Sequence, residues 1–344
     1  MRRARNLLAE SLAHSTRKSY QSAVSSLQKF CQLNCLQLTF PVSSELLCLW
    51  VTHNAHTLAH GSIRSYLHGI GTMHTLYGHP NPVEDAGLVW RAYRGVKRLQ
   101  QGEAKETSRL PITVELLLQL ERWQDVDTTD GRMIRAAMWL GTCGLLRSGE
   151  FTVKDKHSVL VHRHQLTFHD EEGALRHVSS SKVAYMQLKL ARTKTEQFGA
   201  GATIVISHSR AVLAMSSYLT TTPDVSSREA LLRTQQGRPL TYSFLMERVR
   251  ALMLSAGVEE LHRYKGHSFR RGGATSLHLA GLPDSVIKVM GRWRSFTFAT
   301  YVDTPRSVLL AAGRAMASKA SHEKSVMFTA RQFESRPLPV WEDD

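Results

Sequence analysis

Between Phe151 and Ile206 the hydrophobic pattern of the chain changes from a helical period to short alternating runs. Alternation of apolar and polar residues is typical of strands with one buried face. The predicted strands are Leu166–Phe168, Tyr185–Leu190 and Thr203–Ile206, and the stretch DEEG at 170–173 is a predicted turn. A sheet this small needs helices to cover it, so the segment predicts an α+β domain.

Helical patterns lie on both sides of this segment. They predict helices at about 113–123 and 130–143, the second closed by Gly144, and again from Ser209 onward. A further apolar stripe predicts a C-terminal helix at 307–320, followed by a loose tail. The α+β domain is therefore predicted to span 111–344, with the polar segment 103–110 as a linker.

Residues 1–102 have helical periodicity throughout and predict a compact bundle of four or five short helices. The predicted helix N-caps are Ser15 or Thr16, Ser43 or Ser44, and Ser62. The stretch HPNPVED at 79–85 interrupts the pattern, and a basic helix containing Trp90 follows it. The whole chain is thus predicted to be mainly α, with one small antiparallel sheet.

The chain carries 44 Lys and Arg residues against 29 Asp and Glu, a formal net charge of +15 at pH 7. Such an excess predicts a polyanionic partner, which is usually nucleic acid. Predicted DNA contacts in the N-terminal bundle are Arg17, Lys18, Arg94, Lys97 and Arg98. An apolar run of eighteen residues does not occur, so no membrane association is expected.

A candidate active site is found between His262 and Tyr301, together with the upstream stretch GLLRSGEF. His267 and Arg270 are three residues apart, so on a helix they share one face. Arg147 ends the upstream apolar run, where we expect a loop just past a helix C-terminus. Tyr301 is predicted near the start of a helix capped by Ser295.

These residue types suit cleavage of a DNA strand without a metal ion. The reacting phosphate gains negative charge in the transition state, and arginine supplies a charged planar fork that binds two of its oxygens. A tyrosine nucleophile is only about 0.1% ionised at pH 7 and needs activation. A lysine or histidine can protonate the departing 5′ oxygen, and Lys194 is predicted at the tip of a strand hairpin.

In the order and spacing of these motifs the chain resembles the tyrosine recombinases, which include the phage integrases, Cre and the Xer recombinases. The resemblance implies that Arg147 and Arg270 clamp the phosphate and that Tyr301 attacks it. Lys194 would be the general acid, because the stretch Arg-Thr-Lys-Thr at 192–195 resembles one in Cre. His267 would be a proton shuttle and phosphate ligand.

Two further residues are assigned by the same resemblance. Trp293 takes the position of a His or Trp that donates a hydrogen bond and supports the packing, and Glu150 orients the site. Trp293 and Tyr301 are eight residues apart, where many bacterial members have nine. This spacing is closer to that of eukaryotic mobile-element recombinases of the DIRS, Ngaro and Crypton kind. Four cysteines in a chain of this size suggest a reducing compartment, so we expect an intracellular protein that acts with its DNA, in the nucleus if the host is eukaryotic.

The resemblance implies a recombinase or integrase that forms a 3′-phosphotyrosyl bond, with four protomers joining two duplexes. Neither a metal nor a small-molecule cofactor is expected, since the histidines at 162, 164, 169 and 177 lack a closing ligand set. Three alternatives remain open at this point. They are a domesticated DNA-binding protein that no longer cuts, a helix-turn-helix regulator using 268–290, and a type IB topoisomerase with the same chemistry.

Overall fold

A computed structural model describes residues 11–83, 87–101, 109–155, 158–191 and 201–301, together with residue 310. The chain divides into two compact units, Met1–Thr107 and Ser108–Asp344. The boundary lies within the segment 103–110 that was predicted as a linker. Lys194, the C-terminal helix predicted at 307–320 (residue 310 apart) and the tail after it lie outside the described residues.

The first unit is a helical bundle. Its described helices are α1 (His14–Leu33), α2 (Ser44–His53), α3 (His60–Leu76) and α4 (Gly87–Gln101). Helix α1 packs against α3, and α2 packs against α4. The core between them is fully buried at Leu47, Trp50, Ile63 and Leu67. Because these side chains recur at helical spacing, each helix buries one stripe and leaves its charged face exposed.

The predicted start of α2 is confirmed, since the Ser43 hydroxyl accepts a hydrogen bond from the Leu46 N–H at 3.2 Å. The other two cap predictions are wrong. Helix α1 already begins at His14, because the Arg17 N–H bonds the Ala13 carbonyl and extends the helix before Ser15. In α3 the first turn likewise bonds the Ala59 carbonyl, so Ser62 lies inside the helix.

The second unit is built around a buried helix. Its α-helices are α5 (Val114–Glu121), α6 (Thr129–Cys143), α7 (Ser148–Phe151), α8 (Ser209–Thr220), α9 (Tyr242–Ser255), α10 (His267–Leu279) and α11 (Asp284–Gly291). Helix α6 is covered on most sides and packs against α8 and α10. It begins after a Thr128 cap, which was not predicted, and it ends at Gly144, as the sequence predicted. This central helix leads directly into the segment that carries Arg147.

The sheet has four antiparallel strands, β1 (Leu166–His169), β2 (Leu175–Arg176), β3 (Tyr185–Leu190) and β4 (Ala202–Ile206), in the order β2-β1-β3-β4. Leu188 of β3 lies opposite Leu166 and Ile204, and all three are buried against the helices. Three strands were predicted. The two-residue β2 was missed because it is too short to show a period, and an ion pair between Arg176 and Asp170 holds it beside β1.

The predicted fold class, mainly α with a small antiparallel sheet, is confirmed. Within the ranges that the structure describes, no helix combines the length and apolarity needed to cross a membrane. The same ranges contain no group of three His, Cys, Asp or Glu side chains placed to hold a metal ion.

Candidate active site

The first part of the site is the turn between α6 and α7. Leu145 has a left-handed backbone with φ of 45°, which a bulky residue adopts only at some cost and mostly at functional positions. Arg147 precedes the first residue of α7, and its backbone N–H donates to the Glu150 carboxylate at 2.8 Å. The Arg147 guanidinium also donates to Glu150, at 3.1 Å. Glu150 therefore fixes both the backbone and the side chain of Arg147.

Helix α10 contributes two residues, as the sequence predicted. His267 is its first residue, and Arg270 lies one turn later with its side chain fully buried. The Arg270 guanidinium donates to the carbonyl of Leu145 at 2.7 Å and to the carbonyl of Gly291. It thereby connects the turn before α7 to the end of α11 and sits in a fixed orientation.

Arg292 was missed by the sequence analysis. It directly follows α11 in a left-handed conformation with φ of 57°, and donates to Glu150 at 3.0 Å and to the Leu145 carbonyl at 3.2 Å. No local pattern identified Arg292, although it directly precedes the assigned Trp293, because its contact with Glu150 spans 142 residues of sequence. The sequence analysis assigned Trp293 to the site, but the neighbouring Arg292 is the residue that donates to Glu150.

Trp293 is buried and packs against the Arg270 guanidinium, whose carbon lies 4.4 Å from the centroid of the indole ring. This contact matches the packing part of the role predicted for Trp293. A cation over an aromatic face is attracted by the negative face of the ring. The hydrogen-bonding part of that role stays a prediction.

Tyr301 lies beside these groups in the same chain. Its ring centroid is 5.3 Å from that of Trp293, 6.2 Å from that of His267 and 5.9 Å from the Arg270 guanidinium carbon. The local structure differs from the prediction, because the helix after Ser295 is a 3-10 helix, Phe296–Tyr301, in which Tyr301 is the sixth residue. The tighter winding advances the chain further per residue than an α-helix does.

The site is strongly electropositive. Burial, followed by the charges of Arg109, Lys154, Arg270 and Arg147, lowers the pKa of His267 to about 4, so this imidazole is neutral at pH 7. Burial, followed by Arg147 and Arg292, lowers the pKa of Arg270 to about 9, which leaves it charged. Burial also lowers the pKa of Arg292, while Glu150 opposes that change.

Several donors of the site are buried without a hydrogen-bond acceptor among the described residues. They are Nε of Arg270 and both Nε and Nη1 of Arg292. Nδ1 of His267 also has no hydrogen-bond partner there. A buried donor without an acceptor costs free energy, so an arrangement of this kind is stabilised by an anion that supplies several oxygens.

The structure thus brings together Arg147, Glu150, His267, Arg270, Trp293 and Tyr301. It does not place Lys194, which lies outside the described residues. The predicted DNA contacts of the first unit lie on two helices, Arg17 and Lys18 on α1 and Arg94, Lys97 and Arg98 on α4. All of these except the half-buried Arg17 are exposed.

No protein-family model matches the chain. It is 25% identical over 289 residues to an integrase/recombinase XerD homologue of Selenomonas ruminantium, covering 80% of this chain and 76% of that protein. Three solved structures share the fold, as the family resemblance predicted. They are the XerH site-specific recombinase in a post-cleavage complex on its difH substrate, the integrase of transposon Tn1549 with circular intermediate DNA, and a lambda integrase dimer on a core site.

The structural likeness extends over most of the chain. XerH gives a TM-score of 0.59 at 12% identity, covering 87% of this chain and 79% of that one. The Tn1549 integrase gives 0.55 at 14% identity, covering 90% and 98%, and lambda integrase gives 0.51 at 15% identity, covering 88% and 75%. At such identities the likeness demonstrates a common fold, and the chemistry has to be argued from the residues.

Proposed function

We infer that this chain is a tyrosine recombinase, an enzyme that cuts and rejoins DNA at specific sites through a covalent phosphotyrosyl intermediate. The sequence relative and the shared fold support this inference. The observation that carries it is the set of guanidinium groups and an imidazole gathered around Tyr301 in one chain. Tyrosine attack on a phosphodiester requires such cations where the charge develops.

In the proposed reaction the Tyr301 hydroxyl oxygen attacks a DNA phosphorus and loses its proton. The bond from phosphorus to the 5′ oxygen breaks, which leaves a 3′-phosphotyrosyl linkage and a free 5′ hydroxyl. A 5′ hydroxyl from a partner duplex then attacks the linkage and releases the tyrosine. Each step exchanges one phosphoester bond for another, so the energy of the broken bond is retained.

Arg147, Arg270 and Arg292 are the proposed ligands of the two non-bridging oxygens. Arg270 and Arg292 each retain unpaired donors, which a phosphate would satisfy. Glu150 is the proposed positioning residue, because it is bonded to both Arg147 and Arg292. Fixed donors of this kind need little reorganisation during the reaction, and this is the main source of electrostatic catalysis.

His267 and Lys194 are the proposed proton carriers. His267 is neutral at pH 7 because its pKa is lowered to about 4, so it can accept the proton of Tyr301 when a bound phosphate raises that pKa. Lys194 follows β3 in the connection to β4, and its proposed role is to protonate the 5′ oxygen. Trp293 supports Arg270 by the stacking described above.

Binding of double-stranded DNA and self-association complete the proposal. Among the structural relatives, XerH is bound to its difH substrate and lambda integrase is a dimer on a core site. We propose that four protomers of this chain join two duplexes and exchange one strand of each at a time. The positive charge of the chain supplies the sequence-independent part of the affinity.

Covalent capture tests the proposal. The protein is incubated with a pool of nicked duplexes of random sequence, in which the short fragment released by cleavage diffuses away and traps the adduct. We expect DNA to remain attached to the wild type on a denaturing gel, with sequencing of that DNA giving the site. Tyr301→Phe should bind DNA but form no adduct, because it lacks only the attacking oxygen.

The outcomes separate the alternatives. An adduct that persists in Tyr301→Phe would exclude Tyr301 as the nucleophile. DNA binding without any wild-type adduct would indicate the domesticated binding protein. An adduct that leads to relaxation of supercoiled DNA, and never to exchange between two duplexes, would indicate the topoisomerase.

A further inference from the structure

A second basic site adjoins the candidate active site within the second unit. It is a cavity of about 560 Å³ whose wall includes His267, the first residue of α10. Three exposed cations, Arg109, Lys154 and Lys265, line it. Its lining residues include no carboxylate, and none of these three cations forms an ion pair with a described residue. The cavity therefore carries a positive charge that none of its own lining residues neutralises.

The walls of the cavity are held in place by backbone hydrogen bonds. The segment around Arg109 is anchored where the Ile112 N–H donates to the Ser268 carbonyl at 2.9 Å. The segment before Lys154 is anchored where the Val153 N–H donates to the Leu240 carbonyl, and the Tyr242 N–H donates back to Val153, both at 2.9 Å. The cations thus project from a fixed frame.

Packing inside the cavity is close. The Gly266 N–H donates to the Tyr242 hydroxyl at 3.2 Å, and a Cβ on Gly266 would collide with Ser148 and with the Tyr242 ring. The Lys154 ammonium lies 4.7 Å from the centroid of the same ring, which orients the charge. Only glycine allows the three chain segments to approach this closely.

Hydroxyl groups complete the lining. Ser148, Thr241 and Ser243 line the cavity together with the cations. Ser148 is buried, and its hydroxyl bonds no residue in the described part of the chain. Cations combined with hydroxyl donors, and no acceptor charge, make up the side-chain chemistry that binds phosphate oxygens.

We propose that this cavity binds a DNA backbone phosphate next to the phosphate that reacts with Tyr301. The inference rests on the proposed function, because it takes the phosphodiester strand as the ligand. His267 borders both sites, so a phosphate in the cavity fixes the position of the strand beside the reacting one. Lys154 and Lys265 are positioning residues, and their contribution is independent of base sequence.

The test is the salt dependence of DNA binding. A random-sequence duplex is titrated with full-length wild type, Lys154→Ala, Lys265→Ala and the double variant between 50 and 200 mM salt. Loss of one phosphate contact lowers the slope of log affinity against log salt by about 0.9. We expect this change in the double variant, which corresponds to a roughly threefold smaller loss of affinity over that range.

Lys182→Ala is the matched control, since Lys182 is exposed and precedes β3, at the end of the strand opposite its connection to β4. The control should keep the wild-type slope. Equal slopes for the double variant and Lys182→Ala would overturn the inference. Because both cavity lysines are exposed, the thermal unfolding midpoint should be unchanged, and Lys154→Gln with Lys265→Gln provides a second pair if the alanine variants unfold.

This result is separable from the proposed reaction. A wild type that forms the covalent adduct while the double variant keeps the full slope supports the recombinase and rejects the cavity site. A reduced slope in the double variant, with no adduct in the wild type, supports the cavity site and rejects the reaction.

Discussion

Arg292 donates to the carboxylate of Glu150 at 3.0 Å, across 142 residues of sequence. The same carboxylate holds Arg147, so one acidic group aligns two cations from distant segments. Glu150 and Arg292 are both largely buried. The bonds from Glu150 to both Arg147 and Arg292 explain how these two positive charges can lie close together before DNA supplies an anion.

Glu150→Gln tests this alignment. The amide keeps the shape but loses the charge, so Arg147 and Arg292 would repel each other with less compensation. We expect a loss of about 2 kcal/mol in the free energy of unfolding and a roughly tenfold slower cleavage. Denaturant unfolding and single-turnover cleavage measure the two effects, and unchanged values for both would show that Glu150 does not position the arginines.

Arg270 and Arg147 should respond differently to replacement by lysine. Arg270 is fully buried and donates to the Leu145 and Gly291 carbonyls, so Arg270→Lys leaves an acceptor unpaired and should cost about 3 kcal/mol of stability as well as activity.

Arg147 is 19% exposed and, within the described part of the chain, its side chain bonds only Glu150, so Arg147→Lys should keep stability within about 1 kcal/mol. Its cleavage rate should still fall by roughly 10²–10³ through loss of the planar fork. Unfolding curves and cleavage rates for the two variants are compared side by side. Equal losses of stability would contradict the difference in burial.

Lys194→Ala should slow cleavage, because the 5′ oxygen would leave without a proton. A substrate with sulfur at the bridging 5′ position should restore the rate, since sulfur leaves readily unprotonated. Lys189→Ala, on β3, is the matched control and should cleave both substrates at the wild-type rate. If Lys189→Ala were slow and the sulfur substrate restored its rate, the general acid would be Lys189 rather than Lys194.

His267 should make stability depend on pH. Its ordinary pKa is near 6.5, which the unfolded chain retains, and in the folded protein burial and the neighbouring cations lower the pKa to about 4. Between these values the unfolded state binds more protons, so the contribution is complete above about pH 6.5 and is lost as the pH falls toward 4. His267→Gln should therefore show a smaller decrease in unfolding free energy between pH 7 and pH 5.

Urea unfolding at the two pH values measures this difference. His177→Gln, which removes an exposed histidine, is the control and should behave as the wild type. A wild-type decrease that is retained in His267→Gln would assign the pH dependence to other groups.

Each tyrosine should react within its own protomer, because Tyr301 lies beside His267 and Arg270 of the same chain. A mixture of Tyr301→Phe and Arg147→Ala should then form no more adduct than Arg147→Ala alone. Covalent capture with the mixed proteins measures this. Restored capture would indicate that a protomer donates its tyrosine to the site of a neighbour.

The fold class and the principal strands were predictable from the sequence because each depends on a local pattern, whereas most residues of the candidate site were assigned through the family resemblance. Alternation marked β1, β3 and β4, and the spacing of His267 and Arg270 indicated one helix face. The helix N-termini were harder to locate. A serine is a good cap, but α1 and α3 begin one or more residues before the nearest serine, since backbone bonds to Ala13 and Ala59 suffice.

Arg292 could not be assigned from the sequence because its role depends on tertiary structure. Its side chain reaches Glu150 only because its backbone is left-handed and α11 ends beside the Leu145 carbonyl. The basic cavity likewise combines Arg109, Lys154 and Lys265, which are separated by many residues and share no motif. When a site is formed by segments that are distant in sequence, no local periodicity in the sequence reveals it.

The complete burial of Arg270 under Trp293 and Tyr301 has a consequence for the time course of binding. Because the unpaired Nε of Arg270 is buried, a phosphate can bond it only after the groups that cover it shift, so encounter and engagement are separate events. The rate of encounter should increase with DNA concentration and decrease with salt concentration. The rate of engagement should reach a maximum at high DNA concentration and should not depend on salt, because engagement is a rearrangement within the protein itself.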